Sequence, residues 1–239
     1  MEYRYGKNEN YEDFSSGRVI YGGAGVPNFP VRLGNEIFGR CLGYKGRKDG
    51  LTVYDPCCGG GYLLTVLGFH YPQISKLVGS DVDEGMLSVA AKNFSLLSRE
   101  GLDRRQAELR ELAARYDKES HREALESLER LKGRVRSCHF TYRVLKADCT
   151  KPLPQDIAPD IIVTDVPYGN LVAWESTPEA SLDRMYCRLA EISDRDTVLA
   201  VVMDKKAKPD AGQWRRLEKQ TAGKRKFEIY RLKEEACNG

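Results

Sequence analysis

An α/β fold built on an open, mostly parallel sheet with helices on both faces is what this sequence predicts. From residue 51 onward, short runs rich in β-branched residues alternate with stretches of helical periodicity, the pattern of β-α-β units. Four of the five runs end in an aspartate, and carboxyl ends of parallel strands line the ligand crevice of such sheets. The size agrees: 239 residues, 41% of them hydrophobic, suffice for one ordinary core and not for two enzyme domains.

Residues 1–50 read as an arm and not as a domain. Residues 15–33 (SSGRVIYGGAGVPNFPVRL) are extended and punctuated by glycine, and NEIFGRCLG reads as a short helix opened by Asn35. The rest, 51–239, reads as one domain. LTVYD (51–55) is the first strand and KLVGSD (76–81) the second, followed by a helix over EGMLSVAAKNFSLL with Asp83 as its cap. Residues 99–134 hold ten basic and nine acidic side chains, with Leu109, Leu112, Ala113 and Tyr116 and then Ala124, Leu125, Leu128 and Leu131 at helical intervals. They predict an inserted helical pair ended by Gly133, which either contacts substrate or caps the domain. FTYRVLKAD (140–148), DIIVTD (160–165) and TVLAVVM (197–203) are the next strands. Residues 205–233 read as a basic helix and hairpin: 213–219 suggests a helix, and KFEIYRLK (226–233) alternates as a last, antiparallel strand.

Composition removes several classes of function. A net charge of +3 from 38 Lys+Arg and 35 Asp+Glu fits neither a disordered chain nor a polycationic nucleic-acid packer. The longest apolar run, Val198–Met203, falls far short of the ~20 residues that span a bilayer, and the start MEYRYGKNEN has no apolar signal core, so a cytoplasmic protein without membrane contact is expected. Seven cysteines with no C-x-x-C pair, beside three histidines, suit neither a zinc site nor a disulfide framework, so reduced thiols and no metal are expected.

The chemistry concentrates at the strand ends. In Asp55-Pro56-Cys57-Cys58-Gly59-Gly60-Gly61 three glycines let the backbone turn tightly and approach a ligand before an apolar helix begins. The loop lacks both the G-x-G-x-x-G spacing of dinucleotide folds and the G-K-[ST] ending of phosphate loops, which counts against NAD and ATP. Asp81 at the end of the second strand suits a ribose diol. Asp148, ending the third strand, is placed to accept from an adenine amino group. Asp165-Val166-Pro167-Tyr168-Gly169 ends the fourth strand. There Tyr168 can stack on an extruded base, while Asp165 and the carbonyl beside Pro167 accept hydrogens from its nitrogen.

The set D-P-C-C-G-G-G, S-D-V-D and D-V-P-Y-G resembles the Rossmann-type S-adenosylmethionine-dependent methyltransferases that modify base nitrogens. Val166 replaces the first proline of the usual Asp/Asn-Pro-Pro-Tyr/Phe motif, as in some RNA guanine methyltransferases. The wording FPVRL-x-x-EIF, YDPCCGGGYLLTVLGFHY, AAKN-x-x-LLS-x-x-GL and TD-V-PYG, with Trp174 five residues after Gly169, is similar to the AviRa-type ribosomal RNA methyltransferases over about residues 14–204. That resemblance implies a class I methyltransferase sheet and methyl transfer from S-adenosylmethionine to a guanine of 23S rRNA, at N1 in the family, with avilamycin resistance attached to it. It carries over Asp55, Gly59, Gly61, Asp81 and Asp148 to the cofactor and Asp165, Pro167 and Tyr168 to catalysis. Cys57, as a small loop residue packed by the cofactor, and Val82 and Cys149, which follow two of the carboxylates, complete the cofactor set. Cys57 and Cys58 are not read as nucleophiles, because cysteine-dependent base methyltransferases carry their Pro-Cys where this chain has Asp165-Val166-Pro167. Guanine N2, transfer RNA, or a cofactor-binding module without turnover remain alternatives.

Residues 205–233 hold eleven Lys/Arg against three Asp/Glu. Beside a methyltransferase core this segment reads as an RNA-phosphate surface, with Arg215, Arg216, Lys224, Arg225 and Lys226 near Trp214 and with Trp174 as a wedge. Arg18, Arg32, Lys45, Arg47 and Lys48 extend it from the amino-terminal side. The expected partner is 23S rRNA or the large ribosomal subunit.

Overall fold

The computed structural model describes residues 1–22, 28–46, 49–135, 140–166 and 178–234. A seven-stranded sheet runs through the molecule in the order β3-β2-β1-β4-β5-β7-β6. Its strands are β1 (Leu51–Asp55), β2 (Ile74–Asp81), β3 (Thr141–Lys146), β4 (Ile161–Asp165), β5 (Val198–Asp204), β6 (Trp214–Ala222) and β7 (Arg225–Leu232). The first five are parallel to one another; β7 runs antiparallel to β5 and pairs with β6 as a hairpin. A mostly parallel sheet with an antiparallel last strand is what the sequence predicts, and β6 is the strand it does not.

Helices fill the β1–β2, β2–β3 and β4–β5 crossovers, while β3 and β4 are joined by a loop with one 3-10 turn at Gln155–Ile157. The helices are α1 (Val31–Lys45), α2 (Tyr62–His70), α3 (Glu84–Ser95), α4 (Arg99–Tyr116), α5 (Glu119–Lys132) and α6 (Pro178–Glu191). Helices α1 to α5 pack on one face over a core that includes Phe14, Ile37, Phe38, Leu64, Phe94, Leu102 and Phe227. On the other face Met185, Tyr186 and Leu189 of α6 cluster with Tyr54, Ile162, Leu199 and Tyr230. Asp83 caps α3 as expected, its Oδ1 accepting from the amides of Gly85 at 2.7 Å and Met86 at 3.1 Å. His70 ends α2 with Nδ1 2.8 Å from the Val66 carbonyl, a helix-end histidine whose burial lowers its pKa.

Two expectations fail. Helix α1 does not open at Asn35 but at Val31, after Pro30, and Asn35 is buried inside it. The helix ends on Gly46, left-handed at φ 82°. Pro30 sets the earlier entry, and inside the helix Glu36 Oε2 accepts from the amides of Arg4, Tyr5 and Gly6 at 2.7–2.8 Å while Oε1 accepts from Arg40 at 2.7 Å. The second failure is the helix expected over 213–219, which is strand β6. A register shift between Arg216 and Glu218 breaks the two-residue alternation there, so the strand signal is hidden from a periodicity reading.

The charged stretch forms α4 and α5, joined through Asp117 in the left-handed region at φ 43°. These helices grip the arm. Arg105, buried in α4, donates to the carbonyls of Val19 and Arg18 at 3.0 Å and lies 4.2 Å over the Tyr21 ring. From α5, Arg130 pairs with Asp13 at 2.8 Å and Glu123 with Arg18 at 3.0 Å.

Candidate functional site

The chain steps outward from β1 to β3 and then returns to place β4 on the other side of β1. The crevice at the carboxyl ends of β1 and β4 is therefore the topological switch point of the sheet, where ligands of open α/β folds bind. A cavity of about 140 Å³ opens there, with Asp55 from β1 and Asp165 from β4 in its wall.

The turn after β1 is built from its own hydrogen bonds. Asp55 Oδ1 accepts from the Cys57 amide at 3.0 Å, the Cys58 amide donates to the Ser80 carbonyl at 2.9 Å, and the Gly61 amide to the Cys58 carbonyl at 2.8 Å. Gly61 has φ 72°, and a β-carbon there would stand 2.7 Å from Phe94 of α3. Only glycine serves at that position. Asp81 ties the loop to β2: its Oδ2 accepts from the Gly59 amide at 2.9 Å and its Oδ1 from the Asp83 amide at 3.0 Å. Val82, beside it, leaves 56% of its surface open to solvent, an apolar face next to a carboxylate.

Of the cofactor residues the sequence predicts, Asp55, Cys57 and Gly59 line the cavity. Gly61 lies behind them as the left-handed N-cap of α2. Asp81 reaches the cavity through Gly59, and Cys149 through Cys57, whose sulfur is 3.6 Å from its own. Asp148 is turned to its own loop, with Oδ1 accepting from the amide and hydroxyl of Thr150 at 2.9 and 2.7 Å and Oδ2 3.2 Å from Lys151. Burial alone would raise its carboxyl, but the Thr150 and Lys151 contacts hold it below its ordinary value.

The charges of the site are unusual. Burial pushes Asp55 up to about 7, with Asp81 and Asp165 acting in the same direction. Burial likewise pushes Asp165 up to about 6, against the pull of Arg225. Arg225 Nη1 lies 3.4 Å from Asp165 Oδ2, while Asp165 Oδ1 is buried with no hydrogen-bond partner among the described residues. The thiols stay protonated: the Cys149 hydrogen bond and burial raise Cys57, and burial raises Cys58. Neither suits a nucleophile.

Several residues of the site escaped the sequence reading. Tyr21, Asn28 and Phe29 of the arm and Tyr62, Leu63 and Met86 join the cavity wall. Asn93 of α3, fully buried, donates to the carbonyls of Gly60 at 2.8 Å and Tyr21 at 3.0 Å and accepts the Tyr21 amide at 2.8 Å. It fastens the arm to the glycine loop. The one signal for it in the sequence is a polar residue on the apolar side of a helix.

The basic segment divides. Lys226 is 4% exposed and donates to Glu228 at 2.8 Å and to the Ala207 carbonyl at 2.7 Å. Trp214 is 3% exposed, with its indole N–H on the Tyr186 carbonyl at 2.9 Å. Neither is at the surface as expected, because both point inward from paired strands. Arg215, Arg216 and Lys224 are exposed, Arg216 lying 3.3 Å from Glu228. On the amino-terminal side Arg18 pairs with Glu123, Arg32 donates to the Gly6 carbonyl at 3.1 Å, and Lys45 is buried against Asp160 at 2.9 Å. Pro167, Tyr168 and Trp174, with Arg47 and Lys48, lie outside the described residues. Among the described residues no helix is long and apolar enough to cross a membrane, and no three His, Cys, Asp or Glu gather as a metal site.

Comparison with known proteins adds a family. Residues 1–225 match the family described as rRNA methyltransferase AviRa. The chain is 36% identical over 228 residues to the 23S rRNA (guanine(2535)-N(1))-methyltransferase of Streptomyces viridochromogenes, covering 92% of this chain and 91% of that one. Its structure matches that of rRNA methyltransferase AviRa from S. viridochromogenes with a TM-score of 0.88 at 35% identity, over 97% of this chain and 96% of that chain. A Haemophilus influenzae protein described as a methylase shares the fold at a TM-score of 0.51 and 14% identity, over 86% of this chain and 100% of that one.

Proposed function

The chain belongs to the AviRa family of rRNA methyltransferases, and from that premise we propose that it moves the methyl group of S-adenosylmethionine to N1 of a guanine in 23S rRNA. The observation that carries this reading is the shared cavity at the switch point, where Asp55 and Asp165 face one another across the ends of β1 and β4.

The residues present suit this cofactor. A crevice bordered by Asp55, Asp81 and Asp165 repels phosphate and favours a cation, and S-adenosylmethionine carries an ammonium and a sulfonium but no phosphate. Asp81 has acceptor capacity beyond its two amide donors for a ribose diol. The exposed Val82 offers an apolar face for a flat ring, and Gly59 and Gly60 leave backbone without side chains along the cavity. Cys57 and Cys149 fill the space beneath as small thiols, and Asp148 stands by the third strand for the adenine amine. When bound, the cofactor supplies an electrophilic methyl group on positively charged sulfur.

The chain's own task is to present the nitrogen. Guanine N1 bears a proton, and Asp165 is the group that accepts it as the nitrogen takes the methyl. Asp165 Oδ1, buried with no hydrogen-bond partner among the described residues, supports that role. Tyr168 would stack on the extruded base and Pro167 would set its carbonyl toward it. Positioning then supplies most of the rate.

Labelled S-adenosylmethionine with ribosomal RNA from cells lacking the enzyme, followed by nucleoside digestion, tests this. Label in 1-methylguanosine of 23S rRNA is the expected result; label in N2-methylguanosine or in transfer RNA alone overturns it. A rise in avilamycin tolerance on expression in a susceptible strain would extend the reading to resistance.

A further inference from the structure

Arg225 opens β7 beside the carboxyl end of β4, inside the basic segment that composition assigns to RNA. Its position is different from that of its neighbour Lys224. Lys224 is exposed, whereas the Arg225 side chain is 22% exposed and lies 3.4 Å from Asp165, itself 25% exposed. The guanidinium carbon sits 5.5 Å over the ring of Phe29, which lines the cavity. Arg225 is thus held between the arm and the fourth strand. One oxygen of Asp165 faces it, and the other is buried with no hydrogen-bond partner among the described residues.

Among the described residues, the charged groups around this carboxylate come from β1 and β7. Asp55 faces it from β1 across the cavity. Arg225 faces it from β7, with Asp204 of β5 opposite Arg225 in the strand register and engaged by the Lys206 amide at 2.8 Å. Asp55 disfavours a second negative charge and Arg225 favours one.

We propose that Arg225 is a positioning residue for methyl transfer: it fixes Asp165 by one oxygen, as an ionised carboxylate, so that the other oxygen receives the proton of the target guanine. This rests on the reading of Asp165 as the proton acceptor. In that step the N1 proton passes to Asp165 Oδ1 and the N1 electron pair bonds to the methyl carbon, with the carbon–sulfur pair left on sulfur as a neutral thioether. The planar fork of arginine matters because it sets direction as well as charge.

The test measures kcat, and KM for RNA, against pH for the wild type, R225Q, R225K and D165N, with cofactor binding and melting followed in parallel. For R225Q the acid limb of kcat should move up by about one pH unit, a tenfold loss below the limb, with RNA KM and its salt dependence unchanged. R225K should leave the limb in place and lower kcat several-fold, because an ammonium keeps the charge and loses the fork. An unmoved limb in R225Q with a raised RNA KM and a shallower salt dependence would make Arg225 a phosphate contact and overturn the proposal. If R225Q does not fold, R225K decides: wild-type kcat in that variant also overturns it. D165N separates the two levels. Full activity in D165N removes the reading of Asp165 itself, while an inactive D165N beside an unmoved R225Q limb removes only the role of Arg225.

Discussion

Asp55 closes β1 with 3% of its surface exposed, and its carboxyl is pushed up to about 7 by burial, with the charges of Asp81 and Asp165 acting in the same direction. An acid whose folded pKa lies above its unfolded value keeps its proton in the native state while the unfolded chain has released it. Stability therefore falls as pH rises from about 4 to about 7 and stays lowered above that. Asp55→Asn keeps the acceptor for the Cys57 amide and removes the buried charge. The variant should match the wild type near pH 4 and be more stable at pH 8 by on the order of 3 kcal/mol in denaturant titrations, while losing cofactor affinity. A destabilised variant at pH 8 would mean that the carboxylate is held by contacts stronger than its desolvation. The aspartates were legible because strand ends in a parallel sheet converge whatever the side chains between them. Lys226 was misleading because a charge count does not say which way a side chain points. On β7, Lys226, Glu228 and Tyr230 alternate onto one buried face, where Glu228 accepts from both Lys226 and Tyr230. The i, i+2 pairing of opposite charges was the available sign of a buried network.

At the scale of elements, the helical pair α4–α5 is a clamp on the arm. Arg105 satisfies two arm carbonyls, stacks on Tyr21 and pairs with Glu108, which also accepts from the Tyr21 hydroxyl at 2.8 Å. Burial, and then that Glu108 contact, push the Tyr21 phenol up to about 12, so it stays a donor at any working pH. Since Tyr21, Asn28 and Phe29 wall the cavity, loosening the clamp reaches the site without touching it. Arg105→Ala should destabilise the fold by about 2–3 kcal/mol, speed hydrogen exchange in residues 17–22, and weaken cofactor binding more than it changes kcat. Unchanged exchange in the arm would show that Asn93 and the α5 contacts hold it without Arg105. Of these elements the sequence conveys α2 to α5 and the parallel strands, whose periods are regular; α6 is not read from it. It does not convey β6, whose bulge interrupts the alternation, nor the start of α1. There Pro30 sets the entry and Glu36 receives amides from residues thirty and more positions away, a long-range partner that no local window contains.

At the scale of the whole molecule, the surroundings of the switch point sort charge into an acidic cavity and a basic rim. Carboxylates border the cavity at the switch point, while the tip of the β6–β7 hairpin and the end of β5 place lysines beside it: the Lys205 amide donates to the Lys224 carbonyl at 3.1 Å, and Lys205, Lys206 and Lys224 are exposed. A net charge of +3 conceals this division. An acidic cavity next to a basic rim suits a cationic cofactor and a polyanionic substrate at once, since each is repelled from the other's place. Replacing Lys205, Lys206 and Lys224 together with alanine should therefore raise KM for RNA and lower the salt slope of binding by roughly one per cation that contacts a phosphate. Cofactor affinity and kcat at saturating RNA should stay as in the wild type, and melting should be unchanged because none of the three is buried. An unaltered salt slope would move the RNA track to the exposed Arg215 and Arg216 on the outer strand. A fall in kcat would mean that the rim lysines help to draw the guanine out of its stack as well as to hold the backbone on either side of it.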